Sequence, residues 1–98
     1  MTPKIAALIL LSFISFSAVA QLDNADPMRG EESAAACAAC HGAKGNSNNG
    51  EWPNLAGQHA DYIYEHLQYY KSGERENALM LGQAAGLDKQ TMADLAVY

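Results

Sequence analysis

The chain has 98 residues, room for a single domain, with two cysteines and a net charge of −5. The acidic balance argues against nucleic acid or an anionic membrane surface as a partner. Two cysteines cannot build the disulfide framework by which many small exported domains are stabilised.

The first twenty residues read as an export signal. Lys4 supplies a positive start, Ile5 to Phe16 is a nearly unbroken apolar run, and Ala18-Val19-Ala20 is a small-x-small cleavage site. The apolar run is shorter than the ~20 residues a spanning helix needs, so a cleaved signal is expected rather than an anchor. Cutting after Ala20 leaves residues 21–98 as one domain, with five basic residues against eleven acidic ones. A domain this small buries little apolar surface and usually needs a covalent or cofactor staple.

Residues 21–27 form a short lead-in, and Pro27 suits the first position of a helix. Met28 to Cys40 has helical composition, with Glu31 and Glu32 near its positive end and an alanine run after Ser33. Gly42 is a suitable stop. At the end of this segment stands Cys37-Ala38-Ala39-Cys40-His41. Two residues between cysteines on a helical turn bring both thiols to one edge of a porphyrin, and the following His is placed to ligate its iron. The pattern points to covalent haem attachment. A thioredoxin-like pair would need a βαβ context, and a zinc site would need further ligands; neither signal is present. A simple disulfide is the remaining alternative.

Residues 42–58 are rich in turn formers and read as a loop. Trp52 and Leu55 are its apolar members, expected either to pin it to the core or to wall the haem pocket. A second helix is expected from about His59 to Ser72, ending at Gly73, with Tyr62, Ile63, Leu67 and Tyr70 as its apolar face. Glu74 to Gly86 reads as another loop. A third helix follows, with Asp88 as N-cap and Met92, Leu95 and Ala96 as its buried stripe. No strand pattern, repeat or linker is visible, so the fold class is all-α.

The side of the iron opposite His41 decides the chemistry: a Met closes the site and raises the potential, a second His lowers it, and a vacancy permits ligand binding. Met28, Met80, Met92, His59 and His66 are available. Met92 falls in a core stripe, Met28 precedes the attachment helix, and His66 is expected to be exposed. Met80, 39 residues beyond His41 in an irregular segment, is assigned the axial position, with His59 as its rival.

Taken together, these residues resemble a small bacterial class I cytochrome c, most like one half of a periplasmic di-haem cytochrome. The resemblance rests on Cys37 to Gly42, Pro53-Asn54-Leu55-Ala56-Gly57-Gln58, Tyr62 through Gly73, Arg75, Met80, Leu87-Asp88 and Ala93 through Tyr98. It implies three main helices and long loops wrapped around one haem c, bound covalently through Cys37 and Cys40. It further implies that Gly30 lies where the first and last helices cross, that the Pro53 carbonyl accepts a hydrogen bond from His41, and that Arg75 lies near the haem propionates. Gln83 stands where relatives often have a second Met, and Thr91 where they have an acidic residue. Family chains continue a turn or two past the equivalent of Tyr98, which implies a last helix cut short.

The expected function is periplasmic electron transfer, the iron cycling between Fe(III) and Fe(II) under His41 and Met80, with no catalysed bond-making. Expected partners are redox proteins (a respiratory complex, an oxidase or a reductase). No nucleic acid and no stable membrane insertion after signal cleavage are expected. The alternatives are an open-site haem enzyme or sensor, and the haem domain of a larger di-haem cytochrome or redox enzyme.

Overall fold

The computed structural model describes residues 22–98; the expected export signal and its cleavage site after Ala20 lie outside them. Five helices follow in chain order: α1 (Pro27–Ser33), α2 (Ala35–His41), α3 (Ala60–Ser72), α4 (Ala78–Ala84) and α5 (Lys89–Val97). No strand occurs among the described residues. The fold is all-α, as expected.

Helix α1 begins with Pro27 in its first turn, where a missing N–H costs nothing, and Asp26 caps it by accepting from the Met28 N–H at 2.8 Å. The expected single helix from Met28 to Cys40 is interrupted at Ala34. There the Ala34 N–H reaches both the Gly30 and Glu31 carbonyls, and Cys37 N–H bonds the Ala34 carbonyl three residues back. These i to i−3 bonds are a 3₁₀-type tightening at the junction of α1 and α2. An alanine run has high helix propensity throughout, so composition carries no sign of the break.

Helices α1 and α5 cross at Gly30. A Cβ placed there would sit 2.1 Å from the Asp94 carbonyl oxygen, so only glycine permits this approach. Around the contact lies a polar clasp. Arg29 donates through Nε to Asp94 Oδ2 at 3.0 Å and through Nη2 to Oδ1 at 3.2 Å. The Asp26 N–H and the Gln90 amide reach the same Oδ1, at 2.8 and 3.0 Å. The Asp94 carboxylate is buried yet fully partnered, which is what a buried charge requires.

The core joins α3 to α5 through Tyr64, Met92, Ala93 and Ala96, with Ala60, Ile63, Leu67 and Leu87 packed around them. Met92 is buried as expected. The apolar face of α3 needs correction: Tyr62 is 42% exposed, whereas Tyr64 is buried. The inward stripe is Ala60, Ile63, Tyr64 and Leu67, an i, i+3, i+4, i+7 series. Small Ala60 made that series easy to miss, while bulky Tyr62 and Tyr70 lent weight to a neighbouring one.

The loop expected over residues 74–86 contains α4. Seven residues carrying Gly82 show no long periodicity, but Asn77 provides a cap, its Oδ1 accepting from the Met80 N–H at 3.1 Å. At α5, the expected cap is in place: Asp88 Oδ1 accepts from the Thr91 N–H at 2.7 Å.

Candidate haem site

Between α2, α3, α4 and α5 lies a cavity of about 510 Å³, within the ~300–1,000 Å³ range of small-molecule and cofactor sites. Helix α2 lends it Cys37, Ala38 and His41; α3 lends Ile63 and Leu67; α5 lends Leu95 and Ala96; α4 lends Met80. Small residues on α2 leave room, and aliphatic ones on the facing helices make an apolar wall.

Cys37 and Cys40 are three apart on α2, so they are neighbours on its surface, and His41 shares the face of Cys37 four residues on. Both thiols are free and half-buried. Burial pushes the Cys37 thiol above its usual value, and the neighbouring Cys40 adds to the shift. A redox-active dithiol needs the opposite, a stabilised thiolate, so the thioredoxin-like alternative loses support. Nor do three His, Cys, Asp or Glu side chains converge into a metal site among the described residues.

His41 is buried at the end of α2. Gly42 takes φ +86°, and a Cβ there would meet the Asn46 carbonyl at 1.9 Å, so the chain leaves the helix abruptly into the 42–58 loop. The Gly45 carbonyl accepts from both Leu55 and Ala56 N–H groups, at 2.7 and 3.0 Å, and pinches the loop shut. Asn54 adds a bond to the Ser47 N–H at 2.7 Å. The pinch brings Leu55 to Gln58 to the cavity wall and sets the Pro53 carbonyl 2.8 Å from His41 Nδ1. A carbonyl can only accept, so Nδ1 carries a proton, and Nε2 is the ring nitrogen left to ligate a metal. Leu55 walls the cavity; Trp52 is half-buried and does not.

Of the five side chains considered for the opposite side, Met80 alone lines the cavity. Met28 is 74% exposed on α1, and Met92 is 1% exposed inside the α3–α5 core. His59 is exposed at the N-cap of α3. His66 is half-buried rather than exposed, stacked on Tyr62 with ring centroids 4.0 Å apart and edge-on to Tyr69. Arg75 stands away from the cavity wall. Its Nη1 approaches His66 Nδ1 at 3.0 Å, and its guanidinium lies 4.8 Å from the Tyr70 ring centre.

Two groups important to the geometry escaped the sequence reading. Asp94 is a charge inside the apolar pattern of α5, which could have marked it as paired. Asn77, three residues before Met80, had the spacing of a helix cap.

The Cytochrome c family model matches residues 27–98. Over 74 residues the chain is 46% identical to Cytochrome c4 of Thiocapsa roseopersicina, covering 74% of this chain and 38% of that one. Cytochrome c-554(548) of Halomonas halodenitrificans is 38% identical over 76 residues, which are 74% of this chain and 92% of its own length. The Thiosulfate dehydrogenase electron acceptor of Thiomonas intermedia is 42% identical over 66 residues, covering 66% of this chain and 30% of its own. The chain thus spans just over a third of the Thiocapsa relative and nearly all of the Halomonas one. An apolar cavity beside two free thiols and a buried imidazole fits haem, and the sequence matches agree: this chain belongs to the cytochrome c family, with one haem bound covalently through Cys37 and Cys40.

Proposed function

We propose that the protein is a periplasmic electron carrier whose single haem takes His41 and Met80 as axial ligands. The observation that carries this reading is that Met80, among all the Met and His candidates, shares the cavity with Cys37 and His41. When bound, haem supplies one-electron Fe(III)/Fe(II) chemistry. The chain's own residues set its conditions. The Pro53 carbonyl, holding the His41 Nδ1 proton, orients the ring and makes Nε2 a stronger donor. Ile63, Leu67 and Leu95 keep water from the cavity, so little solvent rearranges when charge changes. A thioether from Met80 closes the second side and favours a higher potential than a second imidazole would. A closed site leaves no position for substrate, so the protein makes and breaks no bonds of its own.

Redox proteins are the partners this reading calls for, supported by a relative whose name makes it the electron acceptor of thiosulfate dehydrogenase. Export to the periplasm rests on Lys4, the apolar run to Phe16 and the Ala18-Val19-Ala20 site. Among the described residues no helix is long and apolar enough to cross a membrane. Arg75 enters this reading as a tether of the segment before Met80, since its guanidinium is engaged on α3. Coverage of only 38% of the Thiocapsa cytochrome supports a second reading, in which the same domain serves within a larger redox protein.

The test is the visible spectrum, oxidised and reduced, with and without carbon monoxide. A low-spin ferric spectrum with a sulfur-to-iron band, lost in Met80→Ala, and a ferrous spectrum indifferent to carbon monoxide are expected. A high-spin spectrum that shifts at once with carbon monoxide would replace the carrier with an open-site enzyme or sensor.

A further inference from the structure

Helix α4 has seven residues, fewer than the ~12–15 that an isolated helix needs to hold itself together in water. Its first turn must therefore be held from outside, and Met80 sits in that turn. Three contacts lead up to it. The Arg75 N–H donates to the Tyr69 carbonyl at 3.1 Å, tying the segment to the end of α3. The Arg75 side chain lies against His66 and Tyr70 on the same helix. Two residues on, Asn77 makes both bonds that start α4: its carbonyl accepts from Leu81 N–H at 2.8 Å, and its Oδ1 accepts from Met80 N–H at 3.1 Å.

We propose that Asn77 is a positioning residue for the axial sulfur, holding Met80 in place through the cap on Met80's own backbone N–H. This rests on the reading of Met80 as a ligand. The Met80 N–H is one of the orphan donors of the helix start, and Asn77 is the side chain that satisfies it. Removing that acceptor lets the first turn fray toward solvent, and the thioether moves with the backbone that carries it. The contact lies outside the cavity wall, so a substitution there changes no group that lines the cavity.

The experiment compares the wild type with Asn77→Ala, Asn77→Asp and Met80→Ala, all with haem attached. The readouts are the sulfur-to-iron band and the affinity of the ferric protein for imidazole, which competes with the thioether. Asn77→Ala should bind imidazole about fivefold more tightly, the population ratio that loss of a typical N-cap implies. Asn77→Asp keeps an acceptor at a helix start and should return the affinity to near the wild-type value. Asn77→Ala with wild-type imidazole affinity, whatever its melting temperature, overturns the inference; so does an Asn77→Asp variant that fails to rescue. A sulfur-to-iron band surviving in Met80→Ala sinks the ligand assignment itself, and the positioning role with it.

Discussion

The α1–α5 crossing and the α2–α4 gap are built on opposite principles. At the crossing, Gly30 approaches the Asp94 carbonyl so closely that a methyl group has no room, and the neighbouring polar groups are bonded to one another. Across the gap, Cys37, His41 and Met80 face a cavity of about 510 Å³ bounded by aliphatic side chains. One region is finished by protein atoms alone; the other is completed by the haem. With so few buried apolar side chains among the described residues (Tyr64, Ala84, Met92, Ala93 and Ala96), the protein atoms alone do not close both regions. The crossing therefore serves as the fixed frame against which a cofactor-filled half is assembled.

The largest effect should come from breaking the frame at its tightest point. Gly30→Ala would gain about 1 kcal/mol of helix propensity, but the added Cβ meets backbone, which cannot swing aside. Overpacking costs about 1–3 kcal/mol where side chains can adjust, and more where backbone must move. A net loss of at least about 2 kcal/mol is expected in denaturant unfolding of the haem-loaded protein. An unchanged midpoint would mean that the crossing is looser than the comparison requires.

A smaller effect should follow acid. The Arg29 guanidinium and the Asp26 N–H, with help from Gln90, hold the Asp94 carboxyl at about 2. In the unfolded chain the same group titrates near ~3.9, so between those values the unfolded state binds more protons. The stabilisation by Asp94 is thus complete above about pH 4 and is lost as pH falls toward 2. Asp88, lowered by its bond to the Thr91 N–H, adds to the loss in the same direction. Unfolding midpoints measured across this range should slope less steeply in Asp94→Asn than in the wild type. Equal slopes would remove the clasp from the account of the frame.

The smallest effect sharpens the contrast between methionines. Met28 is 74% exposed, so Met28→Ala should shift stability by no more than about 0.5 kcal/mol and leave the sulfur-to-iron band intact. Loss of the band in this variant would move the proposed axial role from α4 to α1.

Much of this was readable without coordinates because the signals were local. The haem motif depends on a spacing of a few residues, and the helix starts marked by Pro27 and Asp88 depend on conformations that their own side chains favour. The errors arose where several partners compete for one element. Tyr64 and Tyr62 differ by two positions on α3, and only the placement of α5 chooses between them. Helix α4 is too short to announce itself by periodicity, and its Asn77 cap gains meaning only once Met80 is seen at the cavity.

By itself, the sequence determined the all-α class, the covalent attachment of haem at Cys37 and Cys40, and the helix limits near Gly42 and Gly73. Each of these follows from backbone preference or from chemistry confined to a few neighbouring residues. Tertiary structure decided the break at Ala34 and the burial of Asp94 against Arg29, and it realised two expectations of the sequence, the Pro53 carbonyl at His41 and Met80 rather than Met28 or Met92 at the cavity. Those outcomes depend on which distant segments meet, and hydrogen-bond partners 12 to 68 residues apart leave no periodic trace in the chain.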